Sequence, residues 1–419
     1  MERTLKKVNN LGFILLSIMF IWISLFAPLF FESIMLYFLV IIATVLFILM
    51  YIKNNLKIIF SFEDLFFLLF FVFLSMGIAT AIDKTIALRY FMLFALPVPF
   101  IYLFAKISFD KSYGIFLFRI ISCLGFLVVV YGLIEFFFKV NPVFELNDSL
   151  YSFYYGIFSG KRMLSLHMHP TPLATYLVAI LPVSFGLLIK ESKRIYKVLA
   201  GINCLFILCA IVLTFSRGGL LGCLVSLVLV IVALRKSINK KFLSILIICI
   251  VMIIVTVLVM DSLNLSTINR FSVESLIHPH SYMAKINRTI KGFNMFKAHP
   301  FLGIGLGQYR VLFDKFCPFI STNYDGKVAD LMFVTILTEL GIFGFLSFIA
   351  FLIIIYNKSI KSLKGKMSAN QKFMIAVLLA GLSGIIVTFL TYDVLYWFTP
   401  AALFWIYCAF LSVLSKRSK

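Results

Sequence analysis

Apolar runs of about 20 residues recur from one end of the chain to the other, separated by short polar breaks. A helix needs about 20 such residues to cross a hydrocarbon core of roughly 30 Å. The runs are continuous, not alternating, which predicts helices and argues against a β-barrel. Spans are predicted at 11–31, 34–52, 65–81, 86–105, 116–138, 198–215, 242–260 and 329–356. Another is opened by Pro170 and Pro172 and closed at Lys190, and one runs from Gly218 to Arg235. Two more enclose the turn Tyr392-Asp393. The expectation is an all-α polytopic bundle of about twelve transmembrane helices, with both termini cytoplasmic. It forms a single integral membrane domain over 1–419, with no repeat dividing it into homologous halves. The polar stretches 139–171 and 261–328 become extracytoplasmic loops, the larger lying between the ninth and tenth spans.

Composition agrees with this layout. The 419 residues are 62% hydrophobic and only 13% charged, with 49 phenylalanines and a mean hydropathy of +1.08. No soluble domain of this length hides that much apolar surface. The formal charge of +21 suggests nucleic acid at first, but its distribution excludes that partner. Most Lys and Arg fall in tails and loops of one parity, the positive-inside pattern, with membrane lipids as their partners. The large loop is the exception: eight basic residues lie between Asp261 and Lys327 on the opposite side, and an anionic ligand there is the simplest reason. Arg3, Lys6 and Lys7 ahead of the first apolar run resemble a signal peptide without an Ala-x-Ala-like cleavage site, so an uncleaved first helix is expected. Six of seven cysteines lie in apolar spans and only Cys317 is external, which leaves no pair for a loop disulfide.

Candidate chemistry concentrates on the outer side. Arg217 interrupts two apolar helices in Ser216-Arg217-Gly218-Gly219, and the helix that follows turns its free N–H groups and positive dipole end outward. That arrangement suits a diphosphate; a snorkelling arginine in a tight hairpin is the competing reading. Arg288 and Arg310 are either phosphate or sugar ligands or solvated loop charges. Gly303, Gly305 and Gly307 lack the strand–helix setting of a nucleotide loop and instead permit positive φ or close backbone approach. His167-Met168-His169 and His278-Pro279-His280 carry no zinc signature, so no metal is expected. Asp330 is placed for acid–base work and equally for an N-cap. Glu339, nine residues on and about 13 Å deeper at 1.5 Å per residue, reads as a buried hydrogen-bonding group, and Gly341 and Gly344 as close helix packing.

Three stretches together resemble the O-antigen ligase/polymerase family of polytopic glycosyltransferases. They are Leu213-Thr214-Phe215-Ser216-Arg217-Gly218-Gly219, Arg288 through Pro300-Phe301-Leu302-Gly303-Ile304-Gly305-Leu306-Gly307, and Ala329-Asp330 through Thr338-Glu339-Leu340-Gly341. Arg162 to Tyr176 is a fainter match. The resemblance implies transfer of a glycan from undecaprenyl diphosphate to an acceptor hydroxyl, on lipid A core or a growing polysaccharide. The setting would be the outer face of the bacterial cytoplasmic membrane, with inversion at the anomeric carbon and neither cofactor nor metal. It assigns catalysis to Asp330, Arg217 and Arg288, and substrate binding to Arg162, Ser216, His299, Tyr309 and Arg310. Where the ligases carry His-Asn this chain has Asp330-Leu331, a pattern closer to polymerase-like members. The alternative from another class is a polysaccharide or lipid transporter or flippase, which predicts internal repeats, broken helices and midplane charges.

Overall fold

The computed structural model describes residues 2–26, 60–141, 161–167, 169–235, 279–316 and 329–416, with five isolated positions between 42 and 52. The spans expected at 34–52 and 242–260, most of the loops 139–171 and 261–328, and with them Arg270, His278, Cys249 and Cys317, lie outside the described residues. Among the described residues every regular element is helical. Eight helices are long and apolar enough to cross a membrane, and two shorter apolar helices accompany them.

The chain begins with α1 (Glu2–Ile21), which widens into a π-helical turn at Trp22–Phe26. The next helix, α2 (Phe62–Thr80), starts on a capping box in which Ser61 N–H donates to Asp64 at 2.6 Å. The span expected at 86–105 is three pieces: α3 (Lys84–Tyr90), a π-helical stretch Phe91–Ala95, and α4 (Pro97–Ser108). Pro97 has no N–H to give the preceding turn, and the widened turn re-satisfies the backbone through Leu96 N–H to Phe91 C=O at 2.7 Å. Then come α5 (Gly114–Phe138), α6 (Pro170–Lys190), α7 (Arg194–Leu213) and α8 (Arg217–Leu234). The described part of the large loop contains α9 (Pro279–Ala298) and a short α10 (Gln308–Leu312). The chain closes with α11 (Met332–Lys364), α12 (Ala369–Thr388) and α13 (Phe398–Leu414).

The bundle is built around α6, in which every residue from Pro170 to Leu187 is buried, packed by α5, α7, α8, α12 and α13. Trp405, Phe348, Phe404 and Tyr407 fill the core beside it. Large apolar side chains such as Phe62, Leu68, Leu199, Leu205 and Val228 face outward, as a hydrocarbon solvent requires. Buried acids at one end are paired: Asp64 with Lys106 and with Tyr102 OH, which donates at 2.8 Å, Glu63 with Lys358 at 2.6 Å, and Glu191 with Arg119 at 2.6 and 2.9 Å. Pairing is what makes ions tolerable there.

At the opposite end α11 departs from expectation. The helix expected at 329–356 starts at Met332, runs to Lys364, and breaks at Gly341, whose φ is +67°. The break is filled from outside by the glycine loop. Ile304 and Gly305 N–H donate to Thr338 and Glu339 C=O at 3.0 Å each, Ile342 N–H donates to Pro300 C=O at 2.8 Å, and Leu306 N–H reaches Gly77 C=O at 3.1 Å. A Cβ on Gly341 would lie 2.3 Å from Phe301 O, so only glycine fits. Broken helix backbone is tolerated at this depth because other protein satisfies it. Gly341 is therefore a helix break, not the helix-packing glycine its sequence context suggests. The loop itself descends to Glu339.

Candidate functional site

Three segments meet at this end. The first is the hairpin between α7 and α8. Ser216 caps α8, its Oγ accepting Gly219 N–H at 3.2 Å, and leaves Arg217 exposed at the first helical position. Phe215 sits in the left-handed region at φ +48°. Arg162 holds it there: the guanidinium donates to Thr214 C=O at 2.7 Å and Phe215 C=O at 3.4 Å, and Met163 N–H donates to Leu213 C=O at 2.9 Å. The segment carrying Arg162 is in turn anchored by Glu135, which accepts Leu164 and Ser165 N–H at 3.1 and 3.2 Å. Buried Arg162, expected from the sequence to bind substrate, shapes the hairpin from behind through these carbonyls.

The second is α9 against the start of α11. Arg288 forms an ion pair with Asp330, and Tyr309 OH donates to Arg288 C=O at 2.6 Å. Arg288 Nε is buried without a hydrogen-bond partner, leaving a donor unused. One turn earlier on α9, Lys285 lies in the field of Asp330, Arg288, Arg217 and Asp393, and burial pushes its ammonium below the usual lysine range. Arg288 and Lys285 of α9 therefore both act on the Asp330 carboxylate, and Arg217 of α8 lies within electrostatic reach of Lys285. Beside them Lys285, Thr289, Leu331 and Leu390 line an open groove of about 250 Å³.

The third is the turn between α12 and α13. Asp393, which the sequence offered only as part of a short outer turn, is 5% exposed. Its carboxylate accepts Asp330 N–H at 3.1 Å and Thr335 OH at 2.6 Å. Asp330 itself has φ +55°, so Asp393 holds a strained backbone in place. The N-cap role considered for Asp330 is not what forms: Leu331 occupies that position without a side-chain cap, and the Asp330 carboxylate turns to Arg288. Burial raises the proton affinity of Asp330 above the ordinary carboxylate range, against the opposing pull of Arg288 and Lys285. Burial likewise pushes Asp393 up to about 6.

Glu339 ties the glycine loop down, accepting Gly307 N–H at 2.9 Å, Tyr309 N–H at 3.2 Å and Tyr396 OH. It is the buried hydrogen-bonding group expected, with partners from the glycine loop and from the turn between α12 and α13. His299 and Arg310 are not brought to Asp330. His299 is exposed at the far end of α9, about 16 Å along that helix from Arg288 at 1.5 Å per residue. Arg310 is exposed and stands near Tyr90. The two described histidines of the first loop serve locally: His167 is buried against Tyr176, and His169 caps α6. Lys285 and Asp393 are the additions that sequence reading missed. The only signal for Asp393 was a lone acid between two apolar spans on the predicted outer side.

Residues 202–349 match the family model described as O-Antigen ligase, a segment holding the Ser216-Arg217 hairpin, Arg288, the glycine loop and Asp330. Arg162 and Asp393 fall outside it. No curated protein matches the chain. Over residues 202–349, carried on a helical bundle with eight helices long and apolar enough to cross a membrane, the chain is similar to the O-antigen ligase family.

Proposed function

We propose that the cluster of Arg217, Lys285, Arg288 and Asp330 transfers a glycan from undecaprenyl diphosphate to an acceptor hydroxyl at the outer face of the cytoplasmic membrane. The observation that carries this reading is the Arg288–Asp330 ion pair with Lys285 acting on the same carboxylate and Arg217 of α8 within electrostatic reach of Lys285. The acceptor oxygen attacks the anomeric carbon from the face opposite the diphosphate. The bond from that carbon to the diphosphate oxygen breaks with inversion, and the hydroxyl proton passes to Asp330. Diphosphate is already a good leaving group, so the protein's main contribution is fixed positive charge where negative charge develops. Arg217 and Arg288 supply it, with the outward N–H groups of α8 behind Arg217.

The ion pair gives these roles an order. With Arg288 bound to Asp330, the carboxylate is held by its partner. A diphosphate competing for the guanidinium frees it to accept a proton, in a site where burial already favours the protonated form. A donor-first sequence follows.

The test is Arg217→Ala in a reconstituted assay with lipid-linked glycan. Loss of one such electrostatic stabiliser costs about 10²–10³ in rate; near-normal transfer by the variant would defeat the proposal. The same assay separates acceptors: a ladder of lengths indicates a growing polysaccharide, and a single step indicates lipid A core.

A further inference from the structure

Between the hairpin of Arg217 and the turn of Asp330 lies an aromatic cluster with no role in the chemistry above. His169 and Tyr392 stack with ring centroids 5.2 Å apart at 15°. Trp397 closes the group, 5.6 Å from His169 at 38° and 5.8 Å from Tyr392 at 34°. All three are partly exposed. Their position is fixed from both sides. Thr391, just before Tyr392, packs on Gly218 so closely that a Cβ there would lie 1.8 Å from Thr391 Oγ1. Asp393, just after it, holds Asp330 N–H at 3.1 Å. Tyr392 is thus tied through one neighbour to the proposed diphosphate end and through the other to the proposed base.

We infer that Tyr392, Trp397 and His169 form a saccharide subsite that receives the acceptor sugar by stacking. A pyranose ring presents an apolar C–H face and a rim of hydroxyls. Tyr and Trp suit such a ligand because each offers an apolar plane with a polar tip, and ligand sites pair aromatic walls with a few placed polar groups. His169 supplies one of these. Its Nδ1 accepts Thr171 N–H at 3.2 Å, which puts the proton of the neutral ring on Nε2 and makes that edge a donor. The acceptor is the favoured occupant because the cluster adjoins Asp330, whose partner in the reaction is the acceptor hydroxyl. The choice of acceptor over donor sugar rests on the proposed reaction; the affinity for saccharide does not.

The probe is the free glycan released by mild acid from the native lipid-linked donor, added to the full-length protein in lipid nanodiscs. Binding is read without any transfer by intrinsic fluorescence: of the three tryptophans Trp405 is buried at 1% exposure, Trp22 and Trp397 are partly exposed, and Trp397→Phe separates those two. Saturable quenching in the wild type, lost in Trp397→Phe, is expected. In the transfer assay, Tyr392→Ala and Trp397→Ala should raise KM for the acceptor about three- to tenfold, the range of one aromatic contact. KM for the lipid-linked donor should not change, and Trp397→Phe should recover most of the acceptor KM. Unchanged acceptor KM in Tyr392→Ala, a shift that falls on the donor instead, or absence of quenching in the wild type would each overturn the inference. Trp397→Phe and Tyr392→Ala decide the matter if Trp397→Ala does not fold. Quenching that persists while no transfer is detected leaves the subsite standing and sinks the reaction instead.

Discussion

Replacing Glu339 by leucine removes the acceptor for two backbone N–H groups, those of Gly307 and Tyr309, and for Tyr396 OH. The site is fully enclosed, at 2% exposure, so water does not readily take over. An unsatisfied buried donor costs about 1–3 kcal/mol, which makes the two N–H groups worth about 2–6 kcal/mol. That cost falls on the seating of the glycine loop before it reaches the bundle, because the remaining loop bonds run to the backbone of Thr338, Glu339 and Gly77. Tyr309 connects the loop to the chemistry by donating to Arg288 C=O. At about 1.4 kcal/mol per decade, a loop loosened by about 3 kcal/mol is correctly seated roughly 10²-fold less often. Glu339→Leu is therefore expected to fall at least that far in glycan transfer while keeping a folded size-exclusion profile. Glu339→Gln, which keeps one acceptor oxygen for the loop, should stay within about tenfold of wild type. Thermal inactivation measured in the same preparations tells local from global loss. Wild-type transfer by Glu339→Leu would refute the claim that the helix break and the glycine loop hold Arg288 in place.

Two further outcomes test the frame around that loop. Gly341→Ala forces a Cβ into a left-handed position, costing roughly 1–2 kcal/mol, and directs it at Phe301 C=O; a lower thermal midpoint in a thermal-shift measurement is expected. Asp393 should make stability depend on pH. Burial lifts its folded pKa to about 6, so the folded chain holds that proton more tightly than the unfolded chain does. The stabilising contribution is present below the ordinary aspartate range and is lost as pH rises through about 6. A thermal midpoint that falls across this window, with a flatter profile in Asp393→Asn, is the expected result.

Hydropathy made the spans legible because lipid imposes one rule on every residue facing it. Thus α2, α5, α6, α7 and α8 begin within a few residues of where the apolar runs predict. What it does not encode is where a helix is interrupted for function. Gly341 sits within a hydropathic run expected to form one helix, and its φ of +67° follows only once Gly303 and Gly305 are brought alongside. The hairpin arginine was legible for the same reason the spans were: a charge with two glycines between apolar runs has few structural excuses. The carbonyl contacts of Arg162 were not legible, because an arginine that serves backbone carbonyls and one that serves a ligand look alike in one dimension.

The arrangement of the acids carries the argument one step further. Asp330 faces a cation and Asp393 faces the backbone of Asp330, so two neighbouring carboxylates have unequal tasks. A base that must be idle without donor and correctly aimed with it needs both: a guanidinium that anionic donor can draw away, and an anchor that does not move when it leaves. Asp393 meets the second requirement because it is buried, with the Asp330 N–H and the buried Thr335 hydroxyl as partners, away from the releasable Arg288 contact. On the proposed reaction, an aspartate can stand where the ligases this chain resembles carry histidine, since burial moves its proton affinity upward while Arg288 keeps it charged and waiting. The site is in this sense built from both ends of the α11 boundary, one contact releasable and the other fixed.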